Sequence, residues 1–245
     1  KMNKNILTTL LTAVALGTSV TAMADVQKAT RLNARAVELV STDGQTLLVD
    51  FYADNIFRMF RDDNGGVVRN PEAVPPAVIL APGARAKMGS VKMEETTSKV
   101  NISTVSMELS FDKQTGALTV TDLRTGDKPV QTIGEPTLAP AATTLNLKAG
   151  DEWFYGGGVQ NGRFSHRGEV IQIVNTNNWT DGGVASPTPF YWSTGGYGVM
   201  WHTFAPGKYD FGKTEKGTVT LTHEVDYLDV FVMLDKEPVA LLQDF

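Results

Sequence analysis

All four tryptophans of the 245-residue chain, Trp153, Trp179, Trp192 and Trp201, lie in one window. Phe154, Tyr155, Phe164, Phe190, Tyr191 and Tyr197 join them, with glycines at 156–158, 182–183 and 195–196. Between these sit Asn161, Asn175, Asn177, Asn178 and Asp181. These residue types suit a sugar. A pyranose ring has an apolar C–H face that packs on an aromatic ring, and its hydroxyls need side chains that donate and accept in fixed directions. Glycines let the backbone approach closely. The same aromatics also make good strand residues and the glycines good turns, so each aromatic has core packing as its competing reading. The loop over residues 175–186 is the stronger candidate, because it is too polar for a buried strand.

Other chemistries find little support. Gly156-Gly157-Gly158 is followed by no GK[ST], and no GxGxxG opens a helix, so it is not a phosphate loop. The three histidines, His166, His202 and His223, are far apart and lack metal-ligand spacing. The chain has no cysteine, which removes thiol nucleophiles, CxxC redox chemistry and Cys-type zinc sites. No cofactor motif and no metal site is expected. His166-Arg167-Gly168-Glu169 carries an acid and a base, but sugar hydrolysis needs two carboxylates at a set separation. The sequence reveals no such pair. A net charge of −5 without a basic run argues against a nucleic-acid partner.

The elements that must hold such a loop read as strands and turns. Composition, 42% hydrophobic and 20% charged, supports a packed core. Val105, Met107, Leu109 and Phe111 alternate with polar residues, predicting a strand over 105–111. Residues 112–116 turn, Leu118 and Val120 resume the alternation, and residues 124–127 turn again, which reads as consecutive hairpins. Residues 47–60 read as one long apolar-aromatic segment closed by a turn at 62–66. Val219 and Leu221 alternate with threonines, and residues 228–234 form an apolar run covered on both faces. Residues 71–83 hold four of the eleven prolines and read as an ordered connection. The pattern predicts an all-β antiparallel sandwich or barrel over 25–234.

Both ends differ. Residues 1–24 read as a signal peptide: Lys4, an apolar stretch over 6–20, and an Ala22-Met23-Ala24 cleavage site before Asp25. Met2 is expected to open the natural frame, with Lys1 an added residue. The expectation is an exported, periplasmic or extracellular protein with no membrane span after cleavage. Over residues 235–245, Asp235 can cap a helix that Pro238 opens. Leu241, Leu242 and Phe245 have no obvious packing site and no stop signal follows. The expectation is a chain cut inside a helix, with more protein beyond it; the competing reading is an ordinary C-terminal helix docked on the sandwich.

Two segments carry a family resemblance: residues 153–160, Trp-Phe-Tyr-Gly-Gly-Gly-Val-Gln, and residues 189–201, Pro-Phe-Tyr-Trp-Ser-Thr-Gly-Gly-Tyr-Gly-Val-Met-Trp. They resemble the aromatic-Tyr-Gly-x-Gly and Pro-Phe-Tyr strands in the N-terminal domain of glycoside hydrolase family 31, the α-glucosidase and α-xylosidase family. The resemblance implies a galactose-mutarotase-like β-sandwich packed on a C-terminal (β/α)8 barrel. The family's catalytic aspartates lie in that barrel, so no catalytic residue carries over. The resemblance also implies a sandwich loop over the sugar pocket, binding an α-linked glucoside or xyloside oligosaccharide. By position this is the 175–186 loop, with Asn177, Asn178, Trp179 and Asp181 as the expected substrate-binding residues. The usual Asn-x-Asp appears here as Asn175-Thr176-Asn177-Asn178. The competing functions are a free-standing carbohydrate-binding module and an aldose mutarotase, the latter built on His166, His202 and Glu169.

Overall fold

A computed structural model describes residues 26–61, 88–126 and 128–245. The expected export segment, the 62–66 turn and the 71–83 connection lie outside the described residues.

Two antiparallel sheets face each other. One contains β1 (Val26–Arg31), β2 (Ala36–Ser41), β3 (Thr46–Ala53), β4 (Ile56–Arg61), β12 (Phe154–Gln160), β14 (Val184–Ser193), β15 (Tyr197–Trp201) and β18 (Leu228–Leu234). Their spatial order is β1-β2-β3-β4-β18-β15-β14-β12. The other contains β5 (Lys92–Glu95), β6 (Lys99–Ser103), β7 (Met107–Asp112), β8 (Leu118–Asp122), β9 (Lys128–Ile133), β10 (Thr137–Ala139), β11 (Ala142–Lys148), β13 (Val170–Ile173), β16 (Gly207–Phe211) and β17 (Thr218–His223). Their order is β13-β16-β17-β11-β9-β8-β7-β6-β5, with β10 paired to β11. The all-β antiparallel sandwich expected from the sequence is the fold.

Period-two alternation makes the core. Met107, Leu109 and Phe111 of β7, Leu118 and Val120 of β8, and Val219 and Leu221 of β17 point inward from the larger sheet. Val37, Val49, Phe57, Val199, Trp201, Val230 and Val232 meet them from the smaller one. Each such side chain contributes roughly 1.5–3 kcal/mol by leaving water. β18 sits between β4 and β15, and all seven of its residues are buried. Its alternate residues Phe231 and Met233 face outward into a second cluster with Tyr52, Phe190 and Met200. That cluster is covered by the helix α1 (Pro238–Asp244).

Three local expectations change. Val105 is 80% exposed and precedes β7, because Thr104 Oγ1 accepts from the Ser106 and Met107 amides and makes a turn there. The 47–60 segment is two strands, broken at Asp54 and Asn55, whose turn is pinned by Asn55 Nδ2 donating to Leu234 O at 3.0 Å. Asp235 does not cap α1. Its carboxylate accepts from the Glu237 amide and pairs with Arg124 at 3.3 Å, while Glu237 occupies the N-cap without a side-chain bond. Leu241 is buried in the outer cluster and Phe245 stacks on Phe190 at 4.1 Å, so both have packing sites; Leu242 remains exposed.

Candidate functional site

The polar loop links the two sheets, because β13 belongs to the larger and β14 to the smaller. β14 starts at Val184, so residues 184–186 of the expected loop are strand and the loop proper is 174–183. Its shape follows from its side chains. Asn175 Oδ1 accepts from the Asn177 amide at 3.1 Å. Asn177 then takes φ 48°, the one positive φ outside glycine among the described residues. Asparagine tolerates this left-handed region better than most residues. Asn177 Oδ1 in turn accepts from Trp179 Nε1 at 3.0 Å, which holds an indole that is 70% exposed.

Asn178 has a different task. Its Oδ1 accepts from the Thr180 amide and hydroxyl, at 3.0 and 2.7 Å. Its carbonyl accepts from Asn161 Nδ2 at 2.9 Å, and its amide donates to Val184 O. The side chain lies against Gly183, where an added Cβ would be 2.6 Å from the Asn178 amide carbon. Asn178 therefore closes the loop, whereas Asn177 and Trp179 form its exposed tip. Asp181 lies over the turn after β12, so close to Gly162 that a side chain there would collide with its carboxylate.

That turn anchors the loop. Asn161 and Gly183 share a backbone bond, as do Gly182 and Asn161, and Arg163 donates to Gly182 O at 3.2 Å while pairing with Glu169 at 3.1 Å. The glycine triplet explains how β12 supports the turn. Gly156, Gly157 and Gly158 have φ of 112°, 74° and 78° at a bulge against β14. A Cβ on Gly156 would sit 2.7 Å from Phe190 O, and one on Gly158 would strike Ser186 O and lie 2.6 Å from Thr188 N. The triplet is a close-approach device for the strand pair.

The aromatic window divides. Trp201, Phe154, Phe190, Tyr191 and Tyr197 are core residues. Tyr155 and Trp192 stack at 4.5 Å across β12 and β14, and Phe164 packs edge-on against Tyr155. Trp153 carries Arg167 over its ring at 5.5 Å.

Each histidine is engaged within the fold. His166 is buried, stacks on Phe211 and donates from Nε2 to Gly156 O at 2.9 Å; burial lowers its pKa. His202 Nδ1 lies 3.0 Å from Asp229 Oδ2. His223 is buried between Tyr209 and Ala205 O, and burial pushes its pKa down to about 4. With Glu169 held by Arg163 and His166 held under Gly156, these groups do not form the exposed acid–base pair an aldose mutarotase needs. Among the described residues no group of three or more His, Asp or Glu side chains comes together to hold a metal.

The sequence reading missed the short segment between β15 and β16. There Thr203, Phe204, Ala205 and Pro206 face the start of the polar loop across an open cleft, and the Phe204 ring stands fully exposed. The available signal was a large aromatic in a proline-ended loop, where no core position requires it.

The comparisons with known proteins agree with one another. The family described as glycosyl hydrolase 31 N-terminal galactose mutarotase-like domain matches residues 46–210. α-Xylosidase A of Aspergillus niger is 35% identical over 82 residues, 33% of this chain and 10% of that enzyme. A Flavobacterium johnsoniae GH31 dextranase complexed with isomaltotriose superposes with a TM-score of 0.79 at 15% identity, over 90% of this chain and 27% of that one. A GH31 α-xylosidase from a soil metagenome, complexed with xylose, gives 0.70 at 19% identity, over 89% of this chain and 34% of that one. The chain thus spans about a third or less of these relatives' lengths.

Proposed function

Since the chain belongs to the glycosyl hydrolase 31 N-terminal galactose mutarotase-like domain family, we propose that it is the non-catalytic sandwich of an exported, retaining α-glycosidase of α-glucosidase or α-xylosidase type, and that its 174–183 loop touches the sugar. In this reading two carboxylates of a following barrel carry out double displacement through a glycosyl-enzyme. The sandwich shapes the pocket rim.

The observation that supports the sugar contact is the Asn177–Trp179 pair. An exposed indole is a platform for a pyranose face, and here its orientation is set by a hydrogen bond from a loop that is itself fastened to the β12 turn. A platform ordered before binding loses less entropy on contact. Asp181 supplies a nearby carboxylate for sugar hydroxyls, and Asn178 keeps the tip in shape.

Hydrolysis of aryl α-glucosides and α-xylosides tests the first part. The chain alone is expected to give none, and turnover that survives repurification overturns the reading. In the longer enzyme, Trp179→Ala is expected to raise KM more than it lowers kcat; unchanged kinetics remove the loop from the pocket. Export is tested by the mass of the protein recovered outside the cytoplasm, which is expected to begin at Asp25. Recovery with residues 1–24 intact contradicts it.

A further inference from the structure

The cleft between the 174–183 loop and the 202–206 segment has a volume of about 440 Å³, within the roughly 300–1,000 Å³ that small-molecule sites occupy. Its walls come from both sheets: Ile173 ends β13, Pro187 and Pro189 lie on β14, and Phe204 and Pro206 precede β16. We infer that this cleft is a second carbohydrate contact, which takes a neutral sugar unit of the same oligosaccharide or of a neighbouring chain. The inference rests on the carbohydrate reading above but assigns residues separate from the Asn177–Trp179 tip.

The chemistry of the lining carries it. Among the described residues no ionisable side chain borders the cleft, so these walls offer no counter-charge to a charged ligand. Its polar groups are neutral and have spare donors. Asn175 Oδ1 is used by the Asn177 amide, but its Nδ2 has no partner among the described residues. Thr203 Oγ1 accepts from both the Ala205 amide (3.1 Å) and the Tyr227 hydroxyl (3.2 Å), leaving its own proton to give. The Ser186 hydroxyl has no partner among the described residues and is exposed. Uncharged donors call for oxygen acceptors such as sugar hydroxyls and acetals. Phe204 supplies an unhindered ring for an apolar C–H face.

The walls are also fixed. Tyr209 Oη lies 3.1 Å from Pro189 O and 3.0 Å from His223 Nε2, and His223 Nδ1 donates to Ala205 O at 3.1 Å. One buried pair therefore ties a strand of one sheet to the facing segment, and holds the cleft open at a set width.

The test is a titration of the ¹⁵N-labelled chain with isomaltotriose and, separately, with xylose, comparing wild type with Phe204→Ala, Phe204→Trp and Trp179→Ala. Phe204 is fully exposed, so its replacement leaves the core untouched. The inference expects shifts at Asn175, Ser186 and Phe204, affinity about tenfold weaker in Phe204→Ala, affinity kept in Phe204→Trp, and cleft shifts that persist in Trp179→Ala. Shifts confined to residues 177–181, unaffected by Phe204→Ala, overturn the cleft and leave the loop reading standing. Absence of any shift at millimolar sugar also overturns the cleft, whereas the loop reading stands or falls separately on KM in the longer enzyme.

Discussion

The hydroxyl of Tyr209 lies 3.0 Å from Nε2 of His223, both side chains wholly buried. The proton inventory of this pair is determined by its outer partners. The carbonyl of Ala205 only accepts, so His223 Nδ1 carries a hydrogen, and the neutral ring then presents Nε2 as an acceptor to the single hydroxyl proton of Tyr209, which Nε2 shares with the Pro189 carbonyl at 3.1 Å. Charging the ring would put a cation in the core with no anion beside it, which is why burial holds its pKa at about 4.

This predicts a pH dependence of stability. In the unfolded chain His223 protonates near its ordinary value of about 6.5, whereas in the fold it stays neutral until about 4. The unfolded state therefore binds more protons between those values. The His223 contribution is full above pH 6.5, is lost as pH drops towards 4 and amounts to on the order of 3 kcal/mol; below that the aspartates whose pKa the fold lowers, such as Asp122 and Asp210, carry the decline further. His166, also lowered by burial, adds in the same direction. Urea unfolding at a series of pH values checks the window, and His223→Gln is expected to flatten most of the slope.

A second prediction separates two demands on glycine. Gly158 and Gly168 have nearly the same φ, 78° and 74°. A Cβ on Gly158 would strike the backbone of Ser186 and Thr188, whereas one on Gly168 meets nothing within 4 Å. Gly168→Ala should cost only the left-handed penalty of about 1–2 kcal/mol. Gly158→Ala should in addition force β12 away from β14 and loosen the turn that anchors the polar loop. Melting temperatures rank the two, and equal losses would refute the close-approach account of the triplet.

A third concerns Arg58 and Asp229. Arg58 reaches Asp229 with both Nε (2.6 Å) and Nη2 (2.5 Å), between the rings of Phe60 and Phe231, and His202 shares the same carboxylate. Breaking such a pair strands a buried charge. Asp229→Asn or Arg58→Met alone is expected to cost about 3–5 kcal/mol. The double replacement Arg58→Met with Asp229→Leu should recover much of that, since the site is already apolar on its outer face. Denaturant midpoints test this, with Asp229→Leu as the matching single variant; losses that add in the double variant would mean that the two side chains are not coupled and that the pair supplies no stability of its own.

What was legible in the sequence follows from range. The β7–β8 hairpin could be read because its alternation and its turn are local: Asp112 Oδ1 accepts from the Gln114 and Thr115 amides, and Gly116 takes φ 66°. Alternation alone places Val105 in the strand, because it does not register the turn that Thr104 makes there. The break at Asp54-Asn55 was hidden because its fastening, Asn55 to Leu234, lies at the other end of the chain. The polar loop could be found from composition, and its fold family from two short segments. The cleft could not, since residue 173 reaches the neighbourhood of 204 through the pairing of β13 with β16, and 187 joins them from the facing sheet.

The last prediction concerns how Asn177 serves Trp179. At φ 48°, Asn177 pays a small conformational cost that glycine would not, but only its side chain supplies the acceptor for the indole N–H. Asn177→Gly should therefore keep the backbone of the loop and free the ring. Asn177→Ala should lose the acceptor and strain the turn by about 1–2 kcal/mol as well. The side-chain ¹⁵N–¹H resonance of Trp179 reads this directly. In Asn177→Gly its order parameter should fall and its proton shift should move towards that of a solvent-exposed indole, while the Asn178, Thr180 and Val184 amides hold their shifts. In the α-glycosidase proposed above, KM should rise in the glycine variant without a change in kcat, because a mobile platform must be ordered when sugar binds. An indole that stays as ordered in Asn177→Gly as in the wild type would mean that packing, and not this hydrogen bond, sets the tip.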